Sequence, residues 1–388
     1  MIHNNKGGDM FSWYRPLTAF LIAALVTLTA HADPGITDNR ILLGMSAPLS
    51  GPNGAYGTEI RESITAYFNA INKAGGVHGR KLELVVLDDG YETDRAVANT
   101  KKLINEDKVF ALIGYYGSTP TTAAMEVFSA EKVPLIGSIS GAESLRRPVN
   151  RYMFNVRASY ARETEAIINA LAPLSLRNIA VFYQNDGFGK SGLEGITQAM
   201  KHHGLTPSAV ATVERNSLNV GAAVKTIAKA NPQAVIMVTL YKPTAEFVRQ
   251  LHKADQYPQL MTLSPVGADL LVKELGEEAR GIGISQVMPY PWNDGNPLAR
   301  EFRKTMTAAG KTAHSAYYAE EGYAMAKVLV DGLKNSGRDV SREKLVSSLE
   351  NLRNHDLGGY KVTYSPTDHN GSEFVDLTVI GNGGRVLH

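Results

Sequence analysis

The sequence predicts an α/β protein made of two doubly wound parallel-sheet lobes, on three observations. Short apolar runs alternate with stretches of helical periodicity, the β-α-β-α rhythm that a parallel sheet with helices on both faces requires. The rhythm begins near Ile41 and restarts near Asn178. No low-complexity tether separates the two sets, so strand-like crossings, not a linker, are expected to join the lobes.

The first 32 residues read as a targeting segment. Lys6 and Arg15 precede an uncharged run of 13 residues from Leu17 to Thr29, too short to span about 30 Å of hydrocarbon as a helix. Ala30-His31-Ala32 then has the small-x-small pattern of a signal-peptidase site, with cleavage expected after Ala32 and either Met1 or Met10 as the start. Downstream, Ile41 to Leu43 forms a strand and Ser50 to Gly54 a loop. Ile60, Ile64, Tyr67, Phe68 and Ile71 recur at helical spacing until Gly75-Gly76 stops the helix. Leu82 to Leu87 is a strand, and Asp94 is expected to cap a helix to Ile104. Val109 to Ile113 is the third strand, Ser118 opens a helix ending near Glu131, and Pro134 to Ile136 is the fourth strand. The second set places strands at Asn178 to Tyr183, Val210 to Val213 and Ala234 to Leu240. Its helices lie at Gly192 to His202, Val220 to Ala230 and Ala245 to Ala254.

Composition narrows the function. The 388 residues are 44% hydrophobic and 20% charged, too apolar for a disordered chain. Forty basic against 38 acidic residues leave +2. Removing Lys6, Arg15 and Asp9 with the leader leaves 38 against 37, or +1, so no nucleic-acid partner is expected from net charge. The absence of cysteine excludes disulfides, thiolate metal sites and a lipid-acceptor Cys. No later stretch approaches 18 apolar residues, so no membrane anchor is expected.

The ordered set Pro48-Leu49-Ser50-Gly51-Pro52, Tyr56-Gly57, Ile71-Asn72-Lys73-Ala74-Gly75-Gly76-Val77, Gly79-Arg80-Lys81-Leu82, Asp88-Asp89, Ile113-Gly114 and Ser118 resembles the type I periplasmic solute-binding proteins of the branched-chain amino-acid family. The resemblance covers nearly the whole chain after Ile41. It implies three crossings, near residues 155–157, 287–289 and 357–359. It implies lobe one at 33–156 and 289–357, and lobe two at 157–288 and 358–388. It also implies a small-molecule ligand held in the cleft by hinge closure, an ABC permease of the inner membrane as partner, a periplasmic location and no cofactor.

Open α/β sheets bind ligands beyond the C-terminal ends of their strands. The loop Tyr115-Tyr116-Gly117-Ser118-Thr119 is therefore a first candidate, because free N–H groups and the helix dipole at its end favour a carboxylate. The Ser118 hydroxyl either caps the helix or meets the ligand; the resemblance implies contact with a ligand carboxylate. Ile139, Ser140 and Gly141 follow the fourth strand and are expected on the same wall. Tyr56 is a candidate aromatic wall, the resemblance implies the same for Phe188 and Tyr241, which could equally pack in the core, and Tyr290 and Trp292 are weaker candidates. Amino-acid-binding members hold the ligand ammonium with a hydroxyl after the fourth strand and a Glu on lobe two. An ungapped match puts Gly141 and Val266 at those positions, with the adjacent Ser140 able to substitute for Gly141. A buried ammonium with no carboxylate partner costs several kcal/mol, so an aromatic or apolar carboxylate is expected ahead of leucine, isoleucine or valine, unless Asp269 or another nearby acid replaces the missing Glu.

Enzyme-like patterns are weak. Gly187 to Gly192 spells G-x-G-x-x-G, but alone and after a lengthened turn; Gly189-Lys190-Ser191 lacks the earlier Gly of a Walker A loop. His202-His203 reads as an exposed helix end, and Asp88-Asp89 as solvated carboxylates. Three functions stay open: a receptor delivering solute to an ABC permease, a sensor of the same fold, and an exported enzyme.

Overall fold

A computed structural model describes residues 33–312 and 316–388. The expected leader, with its cleavage site and alternative start, lies outside the described residues. Among those described, no helix is long and apolar enough to cross a membrane.

The first sheet has the order β2-β1-β3-β4-β5 and is parallel throughout. Its strands are β1 (Arg40–Ala47), β2 (Lys81–Asp88), β3 (Ala111–Tyr116), β4 (Leu135–Ile139) and β5 (Met153–Phe154). The intervening helices are α1 (Gly54–Lys73), α2 (Thr93–Asn105) and α3 (Ser118–Ala130). β3 and β4 are buried along their whole length, as strands covered on both faces must be.

The second sheet has the order β14-β13-β10-β9-β8-β6-β7. It contains β6 (Ile179–Gln184), β7 (Val210–Val213), β8 (Ala234–Val238), β9 (Gln259–Thr262) and β10 (Gly283–Gln286), all parallel. Around them lie α4 (Tyr160–Leu171), α5 (Gly187–His202), α6 (Gly221–Ala230), α7 (Tyr241–Lys253) and α8 (Ala268–Leu275). The chain then supplies α9 (Pro297–Ala308) and α10 (Ala316–Asn335), which pack on α1, and α11 (Arg342–Glu350), which packs on α10. A short hairpin of β11 (His355–Asp356) and β12 (Lys361–Val362) follows. β13 (Asp376–Ile380) and β14 (Val386–Leu387) then join the second sheet antiparallel to their neighbours.

Several boundaries differ from expectation. α2 begins at Thr93 after Glu92, so Asp94 sits in its first turn and does not cap it. β3 runs on through Tyr115 and Tyr116, which read as loop in the sequence. α5 starts at Gly187, not Gly192, because the Asp186 carboxylate accepts from Phe188 N and Gly189 N and caps the helix. The G-x-G-x-x-G match is thus the first turns of a helix, not a phosphate-binding loop. Of the Asp88-Asp89 pair only Asp88 keeps contact with solvent, its side chain 28% exposed and paired with Arg95. Asp88 accepts from the backbone of Leu49, Ser50 and Gly90, and Asp89 is buried, accepting from Ser46 Oγ and Tyr91 N. Burial pushes the Asp89 carboxyl up to about 6.

Candidate functional site

The C-terminal ends of both sheets face one seam, and the side chains that meet there are mostly tyrosines. From the first sheet and its helices come Tyr56 on α1, Tyr91 after β2, Tyr116 at the end of β3 and Tyr318 on α10. Tyr116 stacks on Tyr56 with centroids 5.1 Å apart; Tyr318 lies 4.9 Å from Tyr56, and Tyr91 5.5 Å from Tyr116. From the second sheet's side come Tyr160 on α4, Phe188 on α5, 5.2 Å from Tyr160, and Tyr241, which meets Tyr56 edge-on at 5.5 Å. Burial raises the phenols of Tyr56, Tyr91, Tyr116 and Tyr318 well above 10, so they stay protonated and available as donors.

Their hydroxyls tie the two sides together. Tyr56 Oη donates to Val266 O (2.9 Å) and accepts from Tyr241 N (3.1 Å). Tyr318 Oη donates to Pro265 O (2.7 Å) and Tyr241 Oη to Pro52 O (2.9 Å). Gln184 Nε2 donates to Tyr91 Oη (3.1 Å), and Gly187 N to Thr119 Oγ1 (3.0 Å). Among the described residues, the buried Tyr116 hydroxyl has no hydrogen-bond partner.

Ser118 sits inside this ring of phenols. It is the first residue of α3, and Gly117 holds the cap position with φ +86°, so the Ser118 hydroxyl is not used for capping. A side chain at Gly117 would meet Tyr91 at 2.4 Å, a second reason for glycine there. Gly117 N is bonded to Ile139 O (3.1 Å), which lays the α3 start beside the end of β4. Ser118 Oγ lies 2.8 Å from Ser140 Oγ and 3.4 Å from Tyr160 Oη, fully buried. Two hydroxyls and a helix start converge on one point, an arrangement suited to a carboxylate. We expect Ser118→Ala to weaken a carboxylate ligand by about 1–3 kcal/mol, the worth of a hydrogen bond to a charged group. Because the cap is Gly117, the melting temperature should barely move; lost stability with unchanged affinity in calorimetry contradicts this assignment.

The other sequence candidates divide. Tyr56, Tyr116, Ser118, Thr119, Ser140, Phe188 and Tyr241 come together at the seam, and Ile139, the last residue of β4, pairs with Tyr116 in the sheet. Gly141 does something else. Its carbonyl accepts from Tyr160 N (2.8 Å), and a Cβ there would lie 2.5 Å from that nitrogen, so backbone contact with α4 excludes any side chain. The hydroxyl on this wall is that of Ser140. Val266 is fully buried and offers its carbonyl to Tyr56. Tyr290 and Trp292 pack on each other and on His388 and Tyr317, apart from the tyrosine ring.

Sequence reasoning missed Tyr91, Tyr160, Tyr318 and a buried ionic cluster. Arg157, on the segment leading from β5 to α4, pairs with Glu163 Oε1 (2.5 Å) and Glu321 Oε2 (3.6 Å) and donates to Ser264 Oγ. Glu163 Oε2 also accepts from Ser264 N (2.9 Å) and Ser285 Oγ (2.6 Å). Burial alone would lower the Arg157 pKa, but Glu321 and Glu163 more than offset it and raise it. Burial pushes Glu321 up to about 7 despite Arg157 beside it. Among the described residues, no group of three His, Asp or Glu side chains could hold a metal ion.

The family described as periplasmic binding protein matches residues 40–385. An amino acid binding protein of Pseudomonas aeruginosa is 24% identical over 295 residues, 74% of this chain and 76% of that one. Leu/Ile/Val-binding protein homolog 7 of Brucella abortus is 26% identical over 350 residues, 84% of each. The crystal structure of a substrate-binding periplasmic protein from Ralstonia solanacearum superimposes with a TM-score of 0.84 at 32% identity, covering 89% of this chain and 99% of that one.

Proposed function

We propose, from the premise that the chain belongs to the periplasmic binding protein family, that it is the solute receptor of an ABC importer, working by capture and delivery with no chemical step. Its two sheets with their helices act as lobes, at 33–156 with 289–357 and at 157–288 with 358–388. They close on a small organic solute at the tyrosine seam. The observation that carries this reading is the buried Ser118–Ser140 hydroxyl pair, walled by aromatic rings from both sheets.

The ligand class follows from which charges are already engaged. Glu163 is saturated by Arg157, Ser264 and Ser285. Asp186 caps α5, and Asp269 accepts from Ala316 N (3.1 Å). With Val266 where amino-acid-binding relatives of the resemblance carry a Glu, the seam offers donors for a carboxylate and aromatic surface, with these acids committed elsewhere. That favours an aromatic or apolar carboxylate over an α-amino acid, whose ammonium would be buried unpaired.

A thermal-shift screen of amino acids, aromatic acids and small amides tests this. A ligand at a hundredfold excess over its Kd adds about 2.7 kcal/mol of stability. Leucine or valine shifting the melt, with aromatic acids silent, refutes the ligand class. Small-angle scattering tests closure: the radius of gyration is expected to fall at saturating ligand, because a ligand touching both lobes favours the closed state through its differential contacts. Identical radii refute the hinge.

A further inference from the structure

The chain passes between the two sheets at one side of the molecule, beside β5 of the first and beside β10 and β13 of the second. β2 and β7 are the strands at the opposite edges. β2 lies four strand spacings from β5, and β7 five from β13. At about 4.8 Å per spacing, the loops after β2 and β7 stand roughly 20 Å from the crossings.

Those two loops hold each other. Tyr91, Glu92 and Thr93 follow β2, and Arg215 and Asn216 follow β7. Glu92 accepts twice, from Asn216 Nδ2 (2.6 Å) and from Arg215 Nη2 (3.3 Å). Arg215 Nη1 donates to Thr93 Oγ1 (2.7 Å), and its guanidinium lies over the Tyr91 ring, 5.8 Å from the centroid. A carboxylate can only accept, so Asn216 turns its Nδ2 to Glu92 and its Oδ1 to Asn53, whose Nδ2 donates to it (2.9 Å). The Asn216 backbone is left-handed (φ +60°), a conformation that Asn adopts more readily than most residues, so one residue makes both the turn and the two bonds.

We propose that Glu92, Arg215 and Asn216 form a clasp at the mouth of the cleft, positioning residues that set how far the lobes favour the shut state without touching the solute. This rests on the reading of the two sheets as hinged lobes. A hinge displaces atoms in proportion to their distance from it. At roughly 20 Å, an opening of about 10° parts these loops by about 3.5 Å, which is enough to break every hydrogen bond between them. The clasp is therefore given up whole in the first degrees of opening, whereas the Arg157 cluster, beside the first crossing, moves least. Whatever the clasp adds to the shut state it adds for every solute alike, so it raises affinity and leaves selectivity to the seam. The Glu92 and Arg215 side chains are 48% and 24% exposed, so dissolved salt screens the pair.

The test needs no solute. The chain has no cysteine, so Ala98→Cys on α2 and Ala222→Cys on α6, both exposed, place two spin labels on the leaderless chain, one on each side of the mouth. Pulsed dipolar spectroscopy then reads the spacing of the lobes as a distribution. In Glu92→Ala or Arg215→Ala the open-to-shut ratio should rise about five- to tenfold, the worth of a partly exposed hydrogen bond to a charged group. In the double variant it should rise by less than the product of the two, since both break one clasp. Raising the salt from 0.05 to 0.5 M should open the unaltered chain and leave Glu92→Ala nearly unmoved. Melting temperatures should stay close together, because these residues lie on surface loops. Equal ratios in the unaltered and variant chains, effects that multiply in the double variant, or equal responses to salt overturn the clasp and leave the hinge standing. A single spacing in every variant and at both salt concentrations also refutes the clasp and, where the scattering radius is unmoved by solute as well, the hinge with it.

Discussion

Arg157→Ala is expected to cost about 3–5 kcal/mol of folding stability near pH 8, because it leaves two buried carboxylates without their cation. Arg157 holds Glu163 of α4, on the second sheet's side, and Glu321 of α10, on the first. The loss should depend on pH in a definite direction. The folded-state pKa of Glu321, about 7, lies above its unfolded value of 4.5. A proton on Glu321 therefore favours the folded state; that contribution is fully present below pH 4.5 and is lost as pH rises through 7. Without Arg157 the carboxyl is pushed higher still, so the deficit of the variant should grow from pH 5 to pH 8. Adding Glu321→Gln should recover part of it at pH 8 and little at pH 5. Urea titrations at the two pH values read these differences directly. A deficit of the same size at both refutes the role given to Glu321.

Arg157 also shows where sequence reasoning stops. The sequence marks it only as part of a crossing between lobes, since its partners come from chain positions 6, 107 and 164 residues away, which no local pattern connects. The strands were legible for the opposite reason: in a parallel sheet covered on both faces they are continuous apolar runs, as β8 is, while the edge strand β7, placed at its observed bounds Val210–Val213, shows the alternation of a half-buried strand. Starts of helices were harder. The glycines after Asp186 suggested a loop, whereas the Asp186 cap and the close approach of Gly189 to Gln184 O place them in the first turn of α5. At the site, the loop after β3 and the hydroxyls after β4 could be read from topology. Tyr91, Tyr160 and Tyr318 could not, because each becomes a wall residue only through packing of separate segments. The ungapped match that set Gly141 at the hydroxyl position says nothing of α4 pressing on its backbone.

Tyr241→Ala is expected to lower ligand affinity by about 2–4 kcal/mol, roughly 30- to 1,000-fold, as truncation of a buried aromatic at the centre of an interface does. Tyr241 touches the other side of the seam three times. Its hydroxyl donates to Pro52 O, its ring meets Tyr56 edge-on, and its backbone N donates to Tyr56 Oη. The first two contacts are lost in the variant, and on the proposed closure both form only when the lobes come together. An open state of that hinge would turn the ring to water, so its removal would cost the closed state alone, and the ligand would have to make up the difference. The melting temperature of the ligand-free chain should therefore change little while the Kd rises. Tyr241→Phe separates the two contributions: it keeps the ring against Tyr56 and gives up one hydrogen bond, worth about 1 kcal/mol. Calorimetric titration of both variants with any ligand found in the screen measures this. Wild-type affinity in Tyr241→Ala would show that neither the closed state nor the ligand depends on this ring.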